Sequence, residues 1–274
     1  MTTTVFSAAS YLCALFSMLV VLGVPCVLGT LVCRRHKGAG HAIVIGIFCF
    51  IIGAYLLEQI FHSLVFGLFG EALRANPLLY AVYGGLAAGV FEETARLLGL
   101  RSLCKKDAAP AIGFAYGIGH GGFEAILITG MGLVNNLIVM TMVNAGRADS
   151  LLAGYEGDTL AQAQQQLAEM AALPATDWLA AGFERCAAIV LHLSLSMLIW
   201  MVVTRRLPRW GYPLSIALHA VANLPAGFYQ TGALPLWPAE ALIVLLSAGA
   251  AVLVWQLYRR SPAPRGAWAM AFTS

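Results

Sequence analysis

Two carboxylates and a guanidinium stand together in an otherwise apolar stretch, as Glu92-Glu93-x-x-Arg96, and the next apolar stretch carries His120-Gly-Gly-Phe-Glu124. Two later stretches add Arg185, His192 and Ser196, and then Ser215, His219 and Asn223, each set at helical spacing. A charge inside a bilayer is costly, so ionisable groups within apolar segments default to function. Arg96 lies four residues after Glu92 and three after Glu93 and can pair with either. The bland reading is a buried ion pair holding two helices together, and it accounts for one glutamate only. The other, beside His120, suits a base that activates water, while His219 and Asn223, one turn apart, suit donors to a developing oxyanion.

These parts together describe peptide-bond hydrolysis, and two chemistries fit. In one, a zinc ion is held by His120, His219, a glutamate such as Glu93, and His192 or Glu124. In the other, one of Glu92 and Glu93 activates water with His120 and no metal takes part. The spacing His-Glu-x-x-His, which would announce zinc on one helix, is absent.

The elements that must position these groups are membrane-crossing helices. Of 274 residues 60% are hydrophobic and only 11% charged, which describes an integral, multi-pass membrane protein with the lipid bilayer as its partner. Apolar runs able to cross ~30 Å of hydrocarbon fall at 6–32, 42–69, 78–100, 109–132, 179–203, 211–230 and 238–258. An all-α, polytopic bundle of about seven transmembrane helices is expected. Arg34, Arg35 and Lys37, then Arg101, Lys105 and Lys106, then Arg205, Arg206 and Arg209, then Arg259, Arg260 and Arg265 follow alternate spans. The positive-inside rule therefore puts the N-terminus outside and the C-terminus in the cytoplasm. The net charge of +3 belongs to this topology and indicates no nucleic-acid partner. The six cysteines show no Cys-x-x-Cys spacing and read as small apolar residues.

Helical rise then aligns the polar groups. Glu92 and Glu93 lie ~13 Å inside the edge marked by Arg101, His120 ~16 Å from Ala109, and His219 ~14 Å from Trp210. Glu124, His192 and Asn223 come out at ~20 Å, so four helices share one slab. Gly85 and Gly89 in the third span, and Gly113 and Gly117 in the fourth, lie on the same faces as the ionisable groups. Such small-xxx-small patterns let backbones approach, and they predict that these two spans pack on each other. Glu58 and His62 form a further pair nearer the outer face. Residues 147–178 predict an external amphipathic connector, with Leu160, Ala163, Leu167 and Met170 on one face behind a cap at Asp158 or Thr159. A single membrane domain over 1–260, with its core at 78–230, and a flexible cytoplasmic tail at 261–274 complete the expectation.

With Glu92-Glu93-x-x-Arg96, Tyr116-x-x-x-His120 and His219-x-x-x-Asn223 in view, the chain resembles the CAAX-protease and bacteriocin-processing family of intramembrane proteases. Within it, the YhfC-type branch of membrane metallopeptidases looks most similar, on His120-Gly-Gly-Phe-Glu124 and Glu184-Arg185…His192. The arginine comes one residue sooner than in the family's Glu-Glu-x-x-x-Arg, as in its PrsW-like version, and Tyr116 replaces a phenylalanine. The resemblance implies a glutamate and His120 activating water, His219 and Asn223 stabilising the oxyanion, Arg96, Glu124 and His192 in support, and a protein or peptide substrate at a prokaryotic cytoplasmic membrane. Two rivals stand beside this. A proton- or ion-coupled transporter would also hold Glu, His and Arg at mid-membrane, although no internal repeat is seen. A non-catalytic scaffold would tolerate losing a glutamate.

Overall fold

In a bilayer every backbone N–H and C=O must be satisfied within the segment, which leaves helices as the means of crossing for a chain patterned like this one. A computed structural model of the protein describes residues 5–261. Among the described residues there are nine helices and no strand. They are α1 (Ala8–Arg35), α2 (Ala39–Ala75), α3 (Pro77–Leu103), α4 (Pro110–Asn144), α5 (Ala148–Leu152), α6 (Gly157–Ala172), α7 (Asp177–Val203), α8 (Gly211–Gln230) and α9 (Leu236–Arg260). Local chemistry sets several starts: the Ser7 side chain accepts from the Ser10 N–H, and that of Asn76 from the Leu79 N–H just before Pro77. The tail expected at 261–274 lies, from residue 262 on, outside the described residues.

Five helices, α1, α2, α4, α7 and α9, are long and apolar enough to cross a membrane. The expectation was seven. In the two that fall short, α3 and α8, polar residues interrupt the apolar run: α3 carries Glu92, Glu93, Arg96 and Arg101, and α8 carries His219, Asn223 and Gln230. Their lengths of 27 and 20 residues correspond to ~40 and ~30 Å. These two helices make the most extensive contact in the bundle, with each other. A Cβ at Gly85 would sit 2.6 Å from the Ala220 carbonyl oxygen, and one at Gly89 2.8 Å from that of Ile216.

This corrects the expected pairing. The glycines of α3 admit α8, not α4, while those of α4 admit α7, where a Cβ at Gly117 would lie 2.9 Å from Ser196 Oγ. Gly119 turns α4 toward the Ile43 carbonyl of α2. A stripe of small residues says that something comes close, not which helix. We expect Gly89→Leu to destabilise the protein by about 1–3 kcal/mol through overpacking against α8, measured as a lower unfolding midpoint in detergent, whereas Gly84→Leu, at a position with open space around it, leaves the midpoint unchanged.

The turns rich in basic residues gather at one end. His36 Nε2 lies 2.5 Å from Asp107 Oδ2, tying the α1–α2 turn to the α3–α4 turn. Trp200 Nε1 donates to the Ala108 carbonyl, and the Arg206 guanidinium stacks over Trp200 and over Tyr258 near the end of α9. The opposite end is closed by Phe6 with Asn144, Tyr80 with Gln230, and Trp237 with Asp177. There α6 lies against the bundle. Its Leu160, Ala163, Leu167 and Met170 are half-buried as the spacing predicts, although the helix begins earlier than expected, after Glu156. Two helices carry a wide π turn, at Ile51–Glu58 in α2 and at Ala125–Gly130 in α4.

Candidate active site

A guanidinium without solvent exposure must have its donors met by the protein. Arg96 and Glu93 have no exposed surface at all. Arg96 Nε lies 3.2 and 3.1 Å from the two Glu93 oxygens. Its Nη1 donates to the His192 carbonyl at 2.9 Å and to Ser196 Oγ at 2.5 Å, and its Nη2 to His192 Nδ1 at 2.9 Å. One side chain thus locks α3 to α7.

That bond fixes the neighbouring imidazole. Arginine only donates, so Nδ1 of His192 is the acceptor, and Nε2 carries the proton toward Glu124 Oε2, 2.7 Å away. Glu124 is held in turn by Arg185, at 2.9 Å, and Arg185 also pairs with Glu184. The π turn of α4 begins directly after Glu124, a place where such turns often occur near functional groups.

The two adjacent glutamates are separated by what holds them. Glu93 Oε1 accepts from His219 Nδ1 at 2.8 Å, and Nε2 of the same ring lies 3.8 Å from Glu92 Oε1. Glu92 Oε2 stands 2.9 Å from His120 Nε2 and 3.9 Å from His192 Nδ1. His120 is fully buried with no partner at Nδ1, its ring edge-on to Phe50 and 5.3 Å from His192 between centroids. A cavity of about 50 Å³ is lined by Glu92, Glu124, Arg185, His192, His219 and Asn223 among others. It has room for a few waters. Glu93 and His120 stand behind this lining.

A family described as YhfC intramembrane metalloprotease matches residues 17–244, most of the chain and all of these side chains. The chain belongs to that family. It is also 36% identical over 223 residues to a Bacillus subtilis (strain 168) protein named "Uncharacterized membrane protein YhfC", covering 80% of this chain and 84% of that one. No solved structure matches. The YhfC family name implies a metal, and the donors present are suited to one. Atoms of Glu92, His192 and His219, all buried, lie within 4.8 Å of one another. One carboxylate and two imidazoles from three helices make a donor set found in catalytic zinc sites. Glu93 on the far nitrogen of His219 is the kind of outer carboxylate that orients such a ligand.

This group differs from the expected set of His120, His219, Glu93 and His192. His192 and His219 are in it, but Glu93 is engaged by Arg96 and His219, and His120 reaches the group only through Glu92. Of the other stripe residues, Ser196 serves Arg96 and Ser215 bonds its own helix at the Tyr212 carbonyl. Glu58 and His62 join Tyr83 in a separate chain between α2 and α3. The expected set includes no residue of α9, which contributes Ile243 and Ser247 to the cavity and Glu240 beside it. Glu240, near the start of an apolar run, was the available signal.

Proposed function

We propose that this protein hydrolyses a peptide bond of a membrane-associated protein or peptide, with Glu92 as the carboxylate at the reacting water. The observation that carries this is the division between the two glutamates: Glu92 borders the cavity with two imidazoles and Asn223, while Glu93 is consumed by Arg96 and His219. Glu92, His219 and His192 would hold a zinc ion, and a bound zinc would supply Lewis acidity and a more acidic water. For His192 to join, it must give up either the contact of its Nδ1 with Arg96 or that of its Nε2 with Glu124. His120, hydrogen-bonded to Glu92, relays the proton toward the leaving amine. With His219 Nε2 given over to zinc, Asn223 is the neutral donor left in the cavity lining for the oxyanion. Glu92 with His120 at the water and Asn223 at the oxyanion follow the CAAX-protease scheme, while His219 moves from oxyanion donor to metal ligand. We further propose that α3 and α8 complete seven crossings, with the basic end in the cytoplasm, as the alternating charge bias requires.

Elemental analysis of protein purified without chelator is the direct test of the metal. We expect about one zinc per chain in the wild type and less than a tenth in His219→Ala, since loss of a ligand removes most affinity. A wild-type protein that cleaves membrane peptides with less than half an equivalent of any metal would leave Glu92 and His120 acting on water directly.

A further inference from the structure

A second cavity, of about 420 Å³, lies on the side of the site away from the basic turns. It is walled by α4, α7, α8 and α9, reaches Asp177 and Gln230 at that end, and shares Glu184, Ala226 and Ile243 with the inner cavity. The Arg185 pair with Glu124 and Glu184 stands where the two meet. Three carboxylates, Asp177, Glu184 and Glu240, face this larger space, and no lysine or arginine does among the described residues that line it. Two of the three are provided for: Glu184 by Arg185, and Asp177 by a hydrogen bond from Trp237 Nε1 at 3.0 Å. Glu240 is not. Its side chain is nine-tenths buried in the wall and Oε2 has no partner.

A buried carboxylate without a donor is costly, and a cation entering the cavity relieves that cost. We propose that this vestibule is the substrate's passage to Glu92 and that Glu240 binds an alkylammonium group of the peptide, a lysine side chain or a free amino terminus. The substrate approaches from the end opposite the basic turns, and Glu240 is a specificity-determining residue rather than a catalytic one. The substrate class rests on the peptidase reading, but the readout is binding rather than cleavage, so the two succeed or fail separately.

The test uses purified full-length protein in detergent and three short Ala/Leu peptide amides: one acetylated with a central lysine, one with a free amino terminus and a central glutamine, and one acetylated with a central glutamine. Binding is followed by thermophoresis on wild type, Glu240→Gln, Glu240→Asp and Gln230→Lys. We expect the wild type to bind one of the cationic peptides at least tenfold more tightly than the neutral one, and which peptide it is identifies the ammonium. The preference falls below about twofold in Glu240→Gln and survives in Glu240→Asp. Gln230→Lys, on an exposed rim position that gives up only the hydrogen bond from the Tyr80 hydroxyl, lowers it by placing a like charge in the same space. Equal binding of all three peptides by the wild type overturns the proposal. So does a preference that persists in Glu240→Gln or is untouched by Gln230→Lys.

Discussion

Glu92→Gln is expected to lower kcat for peptide cleavage by ~10³-fold or more with KM little changed, since a positioned base typically contributes 10²–10⁴ and the same carboxylate belongs to the zinc donor set. The amide keeps the volume and can still bond His120, so the fold survives and the unfolding midpoint moves little. Glu93→Gln behaves differently. It weakens the hold on His219 and leaves Arg96 without its countercharge, so stability and activity fall together. The comparison is made in proteoliposomes with a membrane-anchored peptide, alongside thermal unfolding of each variant. If Glu93→Gln proves the more thoroughly inactive while as stable as wild type, the assignment of roles to the two glutamates is reversed.

Arg96→Met is expected to produce the largest loss of stability of any single change at the site. It strands Glu93 with no exposed surface and frees the His192 carbonyl and Ser196 from their donor. Breaking one half of a buried pair costs about 3–5 kcal/mol, mostly from the charge left behind. The double variant Glu93→Gln/Arg96→Met should recover more than half of that loss, because no orphan charge remains. Denaturant unfolding in mixed micelles measures both. A single variant less than 1 kcal/mol below wild type would mean that Glu93 finds another partner.

The central group was legible because membrane physics makes it so. Ionisable residues are expensive in apolar helices, and a rise of 1.5 Å per residue carries Glu92, His120, His192 and His219 to comparable depth. The stripe Leu160, Ala163, Leu167 and Met170 emerged equally well, from helical period alone. What could not be read were choices among equivalent partners. Gly85, Gly89, Gly113 and Gly117 are all small, and nothing local says that the first two meet α8 and the others α7. Glu92 and Glu93 are neighbours of the same type, and only the approach of Arg96 and His219 distinguishes them. Glu240 sits where a polar residue at a helix end is unremarkable, until α7 and α8 bury it.

The intimate pairing of α3 with α8 also bears on how the chain is made. A ribosome releases α3 about a hundred residues before α8, and an isolated helix with charged residues near its middle enters lipid at roughly 3 kcal/mol for each of them. During synthesis α3 has no α8 to cover its glycine face and no α7 to hold Arg96. Nascent chains halted before residue 177 should therefore leave α3 accessible to water-soluble labels or held at the translocon, and release of the complete chain should seal it.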